Sequence, residues 1–185
     1  MALSEDSQIV ITIPAWVDET VQSFGPLVDD ESRARLVVRL ARMNSERGGG
    51  PFGAAVFLGD ELVAAGVNRV LETQLSIAHA EVIALMRAQQ VLARTGLPTT
   101  GPYTLVTSTD PCCQCFGALI WSDVERLVCA AHTEDAEAAG FDEGPKPSDW
   151  VQILEGRGVA VTRSVLREDA RRVLEDYRLR GGRIY

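Results

Sequence analysis

A chain of 185 residues with 46% hydrophobic content can bury one sizeable core, so one domain over 1–185 is expected and two are not. Its 26 acidic residues against 18 Lys and Arg, a net charge of −8, argue against nucleic acid and for a small neutral partner. No apolar stretch reaches the length of a membrane span, and Met1 to Asp6 lack a basic segment leading into an apolar run, so a cytoplasmic protein without a membrane partner is expected. Three of the four cysteines fall within residues 112–115, a poor disulfide framework and a good metal cluster.

Residues 1–28 combine a β-like run, Ile9 to Ile13, with Pro14 and Pro26, and read as an N-terminal arm. From Asp30 to Glu46, Val37, Leu40 and Ala41 recur at helical spacing, and the helix stops before Gly48 to Gly50. No Gly-Lys-Ser/Thr follows those glycines, so they serve as a connector and not a phosphate loop. Phe52 to Leu58 and Glu61 to Asn68, divided by Gly59-Asp60, form a β-hairpin. After a loop with Asn68 and Arg69, a helix is expected over His79 to Arg94 and a strand over Tyr103 to Thr107. Asp110-Pro111 reads as an N-cap and first-turn proline for a helix reaching Trp121. A strand over Arg126 to Ala131 follows, giving a right-handed parallel crossover. Helices over Thr133 to Ala139, Ser148 to Glu155 and Leu166 to Arg180, with a strand over Val159 to Thr162, complete the chain before the 181–185 tail. The sum is an α/β fold, a three-layer α/β/α sandwich around a five-stranded mixed sheet.

The chemistry concentrates in Ala78-His79-Ala80-Glu81 and Pro111-Cys112-Cys113-Gln114-Cys115. Cys112 and Cys115, at i and i+3, share a helix face near a helix start that favours thiolates, while Cys113 points elsewhere. His79 and Glu81 stand about 200° apart on a regular helix, so both can face a metal only if it lies off the helix end. One imidazole and two thiolates leave a tetrahedral zinc with one position open for water, whose pKa falls from about 15.7 to about 7. Glu81 is then free to act as a general base that becomes a general acid. A fourth ligand from Cys129 or His132 would instead close the site as a structural zinc module.

These stretches, with Gly50-Pro51-Phe52-Gly53-Ala54-Ala55-Val56-Phe57, Ala65-Gly66-Val67-Asn68-Arg69-Val70, Phe116-Gly117-Ala118, Ile120-Trp121 and Gly140-Phe141-Asp142-Glu143-Gly144, resemble the cytidine-deaminase-like superfamily. The 140–144 stretch and the Tyr tail resemble its bacterial guanine deaminase branch, including members that accept ammeline. The resemblance covers residues from about Gly50 to Tyr185. It implies Zn2+ held by His79, Cys112 and Cys115, proton transfer by Glu81, and hydrolysis of guanine to xanthine and ammonia. It further implies that Asn68 bonds the purine, that Phe52, Ala80 and Trp121 line it, and that Glu143 contacts its polar edge as a second catalytic carboxylate. The 181–185 tail is implied to cross to a neighbouring subunit, making Tyr185 a lid in a domain-swapped homodimer. From the residues alone, Phe52 and Trp121 also read as core, Asn68 as a turn residue, Glu143 as a solvated loop carboxylate and Tyr185 as a frayed end. Another aminated heterocycle, a nucleoside or tRNA adenosine would use the same metal site.

Overall fold

The computed structural model describes residues 9–93 and 101–185. Strands β1 (Gly53–Leu58), β2 (Glu61–Val67), β3 (Tyr103–Thr109), β4 (Arg126–Ala131) and β5 (Ala160–Thr162) form one sheet in the order β2-β1-β3-β4-β5. β1 is antiparallel to β2 and β3, whereas β3, β4 and β5 run parallel, so the sheet is mixed as expected. Side chains alternate across the pleat. Ala54, Val56, Leu105 and Leu127 face a layer made by α4 (Ala80–Val91), α5 (Cys113–Ile120) and α7 (Trp150–Glu155). Ala55, Phe57, Val106 and Val128 face α1 (Ala15–Ser23) and α2 (Asp30–Glu46). The short α6 (Thr133–Ala138) and α8 (Arg167–Leu179) pack with α2 and the end of β4. Among the described residues no helix is long and apolar enough to cross a membrane.

α2 starts where its cap dictates. The Asp29 carboxylate accepts the Ser32 N–H at 2.7 Å, and the Ser32 hydroxyl accepts the Asp29 N–H at 3.2 Å, which satisfies two helix-start donors at once. This helix supplies Asn44, which is buried; its amide nitrogen donates to the Gly50 and Asn68 carbonyls, both at 2.8 Å. The pocket-side ends of β1 and β2 are thereby tied to one side chain.

Four local expectations are corrected. Ile9 to Ile13 pair with no strand; Ile11 and Ile13 pack on Val70, Ala78 and Ile83, and α1 begins just after Pro14, a helix the β-branched run had obscured. The loop after Asn68 contains a one-turn helix, α3 (Val70–Thr73), whose first N–H is taken by the Asn68 side chain. α5 begins two residues later than expected, with Cys112 and not Asp110 at the N-cap. Asp110 directly follows β3 and stays tied to β4, its N–H donating to the Ala131 carbonyl at 2.9 Å, and its carboxylate turns to Arg163 and the Thr133 N–H. The helix expected over 79–94 is shorter, running Ala80–Val91 with His79 and Leu92 as its caps and Ala93 at φ 53°; residue 94 itself lies outside the described residues.

β2 sits directly on α4. A Cβ at Gly66 would come within 2.6 Å of the Ala80 carbonyl oxygen and 2.7 Å of the Ala84 nitrogen, backbone atoms that cannot rotate away. Gly66→Ala should therefore push α4 off the sheet and cost about 1–3 kcal/mol of stability, as overpacked cores do. Urea unfolding checks this, with a midpoint equal to that of the native chain as the contrary result.

Candidate active site

The N-termini of α4 and α5 meet beside the sheet. His79 is the N-cap of α4 and Cys112 the N-cap of α5, so both side chains leave extended backbone at a helix end and neither needs to share a helix face with its neighbours. His79 Nδ1 lies 3.4 Å from Cys112 Sγ and 3.6 Å from Cys115 Sγ, and the three ligand atoms lie within 4.8 Å of one another. Bonds of about 2.0–2.1 Å to nitrogen and 2.3 Å to sulfur at a tetrahedral zinc would separate N from S by about 3.5 Å. The residues present therefore fit zinc. Among the described residues no fourth His, Cys, Asp or Glu joins the group. Cys129 is buried in the core, and His132 heads α6 with Nε2 2.8 Å from Ser164 Oγ, so neither closes the site.

The charges suit metal binding. A hydrogen bond from the Cys115 thiol, aided by the His79 ring, overcomes burial and draws Cys112 down to about 4, a thiolate at neutral pH. The Cys112 thiolate and burial in turn keep Cys115 protonated until a cation arrives. Glu81, the second residue of α4, is buried beside them; burial first and the Cys112 charge second push its carboxyl above the usual range.

Beyond the cluster lies a small cavity of about 40 Å³. Phe52, Asn68, Glu81, Phe141, Glu143 and Tyr185 contribute to its walls. Phe141 organises the apolar side, meeting Phe52 edge-on at 4.8 Å and Tyr185 edge-on at 5.6 Å, with Tyr177 stacked behind it at 5.8 Å. Asn68 is fixed in orientation. Its side-chain oxygen accepts the Val70 N–H at 3.1 Å, which leaves the amide NH2 as its free donor. Glu143 is buried, with Oε2 lacking a hydrogen-bond partner among the described residues. Burial first, then the charges of Cys112 and Glu81, push its carboxyl up to about 8.

The profile of the cytidine and deoxycytidylate deaminase zinc-binding region matches residues 28–131, a span that holds His79, Glu81, Cys112 and Cys115. This chain belongs to that deaminase family. It is similar to the guanine deaminase of Bacillus subtilis (strain 168), 39% identical over 95 residues, which are 51% of this chain and 59% of that protein's length. It is also similar to the tRNA-specific adenosine deaminase of the same organism, 30% identical over 114 residues, 62% of this chain and 69% of that one. The solved guanine deaminase from Nitrosomonas europaea superposes with a TM-score of 0.88 at 42% identity, covering 96% of this chain and 100% of the other.

Within this deaminase the structure gathers most of the singled-out residues and displaces two. His79, Glu81 and Cys112 line the cavity together with Phe52, Asn68, Glu143 and Tyr185, and Cys115 lies buried behind them. Ala80 is fully buried against β2, its carbonyl facing Gly66, and is not part of the cavity wall. Trp121 lies farther away. It forms the C-cap of α5, at the end opposite the ligands, and is 81% exposed. The resemblance placed it beside the base; in this chain the helix ends there and the ring turns to solvent. Within the single chain, Tyr185 reaches that chain's own pocket. The Tyr177 hydroxyl donates to the Arg183 carbonyl at 2.6 Å and the Gly182 N–H to the Tyr177 carbonyl at 2.9 Å, which folds the tail back after α8. Asp110, Phe141 and Asp142 line the cavity without having been singled out as site residues. Phe141 and Asp142 carried a signal, standing directly before Glu143; Asp110 was read as a helix cap.

Proposed function

We propose that this chain hydrolyses the exocyclic amine of a free purine base, converting guanine and water to xanthine and ammonia, with ammeline as a second substrate. The observation that carries this reading is the buried Glu81 carboxylate beside a three-ligand cluster, opening on a cavity walled by aromatic rings with one fixed donor and one buried carboxylate. Zinc held by His79, Cys112 and Cys115 would supply a water acidified to a pKa of about 7. Glu81 takes a proton from the attacking water and delivers it to the departing amine, so that C–O bond formation at position 2 is balanced by loss of ammonia. Phe52 and Phe141 bound the base. The Asn68 NH2 donates to an acceptor on the purine, and Glu143 faces the N–H groups of its other edge. Tyr185 covers the cavity, excluding bulk water and a ribose. Exchange of the tail between two copies, which the resemblance implies, would keep these contacts and change only which chain supplies Tyr185.

Transfer-RNA adenosine is the rival substrate. The net charge of −8 and the small cavity, with Tyr185 in its wall, weigh against it. Zinc-loaded protein is offered guanine, ammeline, guanosine, adenine and cytosine in parallel, with the Glu81→Ala chain as blank. Ammonia is expected from guanine, or from guanine and ammeline, and the signal should vanish on chelation and return with zinc. Equal release from guanosine would overturn the free-base reading.

A further inference from the structure

Glu143 stands on a loop between α6 and α7, yet its side chain is buried and lines the cavity. Since Oε2 has no partner among the described residues, the backbone must hold the carboxylate in place. That backbone is tied to the first turn of α5. The Cys113 N–H donates to the Glu143 carbonyl at 2.9 Å, the Gly144 N–H to Asp142 Oδ1 at 2.9 Å, and the Lys146 N–H to the Gly144 carbonyl at 2.8 Å. The Lys146 ammonium donates to the Pro111 carbonyl and, at 2.9 Å, to the Thr133 hydroxyl. Side-chain packing completes the joint. Gly144 has φ +69°, and a Cβ there would fall on Cys113 Sγ and lie 3.3 Å from Cys113 Cβ. The thiol of Cys113 fills the volume that the missing side chain leaves open.

We infer, resting on the reading that Glu143 faces the base, that Cys113 and Gly144 are positioning residues which set how far Glu143 reaches into the pocket and so how tightly the base is held. Cys113 is the cysteine between Cys112 and Cys115 that stays outside the three-ligand cluster. Its N–H and Sγ grip the loop that carries Glu143, coupling that carboxylate to the helix start that presents Cys112. A side chain at 144 meets the thiol and lifts the loop, drawing Glu143 away from the base while His79, Cys112 and Cys115 stay where they are.

The test uses Gly144→Ala, Cys113→Ala, their combination, and Cys113→Leu, each assayed for zinc content and for KM and kcat on whichever base of the panel the native protein deaminates. A guanine assay that stays silent while another base reacts thus sinks the substrate assignment alone. Gly144→Ala should raise KM tenfold or more with a smaller change in kcat and zinc retained, and Cys113→Ala should raise it at most about threefold. The positive φ strains the Gly144→Ala chain and the double variant equally, so the recovery of KM in the double variant isolates the contact with sulfur. If Gly144→Ala does not fold, Cys113→Leu carries the same expectation, because it enlarges the other half of the joint. A second measurement is independent of turnover: iodoacetamide should label Cys113 of zinc-loaded Gly144→Ala several-fold faster than that of the native chain. Native KM in Gly144→Ala or Cys113→Leu, a double variant no better than Gly144→Ala, unchanged labelling, or a loss that follows zinc content would each overturn the inference.

Discussion

A chain carrying Glu81→Gln should bind zinc as the native chain does and release ammonia about 10³-fold more slowly, within the range a positioned acid–base group contributes. Gln has nearly the shape of Glu, and none of the three ligands is changed, since Glu81 is not among the atoms that gather at the cluster. What the amide cannot do is accept a proton from water and hand it to a leaving amine. Glu81 is also buried at the start of α4, where no solvent base can readily take over its task. Metal analysis and initial rates on the same preparation separate the two effects. A metal-loaded Glu81→Gln protein with near-native turnover would remove Glu81 from the mechanism, and a metal-free one would make it part of the ligand structure instead.

Local pattern made much of this chain legible, and long-range pairing accounts for most of what was not. α2 and β4 run over the residues their periodicity marks, Asp30–Glu46 and Arg126–Ala131, because one apolar face or one buried strand decides each of them. The His79, Cys112 and Cys115 cluster, which could hold a metal, was legible because its spacing is itself chemistry: two thiols at i and i+3 with a histidine before a helix have few other uses. Asp110 shows the opposite case. Its capping signature is sound locally, but Arg163, 53 residues away, and Thr133 compete for the same carboxylate and win, shifting the helix start to Cys112. Trp121 was set beside the base by the resemblance alone; its residue type reads as core, and its exposure follows from where α5 ends, which no local pattern marks. Asn44, which ties Gly50 to Asn68, carried no sequence signal at all. Its role exists only because α2 crosses the ends of β1 and β2.

The competition for Asp110 leads to the second large effect, that of Arg163→Ala on stability. The Asp110 side chain is 0% exposed and Arg163 grips it with two N–H groups, Nε at 3.0 Å to one oxygen and the second nitrogen to the other. Removing the guanidinium leaves a buried carboxylate with the Thr133 N–H at 3.1 Å and a long contact to the Thr133 hydroxyl as its support. Breaking a buried pair in this way costs about 3–5 kcal/mol. Because Arg163 is itself 32% exposed, water can partly enter the gap, which favours a loss of about 3 kcal/mol. A smaller part comes from the face of Trp150, over which the guanidinium lies at 5.4 Å. The loss should be read in urea unfolding of zinc-loaded protein, beside an Asp110→Asn/Arg163→Ala chain in which neither charge of this pair remains. The double variant should be the more stable of the two, since the penalty is that of the stranded carboxylate and not of the missing arginine. Asp110 leads through Pro111 directly into Cys112, so the single variant should also release zinc to a chelator faster than the native chain. A loss below about 1 kcal/mol with unchanged zinc release would mean that the 110–112 segment is held by the Lys146 contact and the sheet, and that the ion pair is dispensable to the metal site.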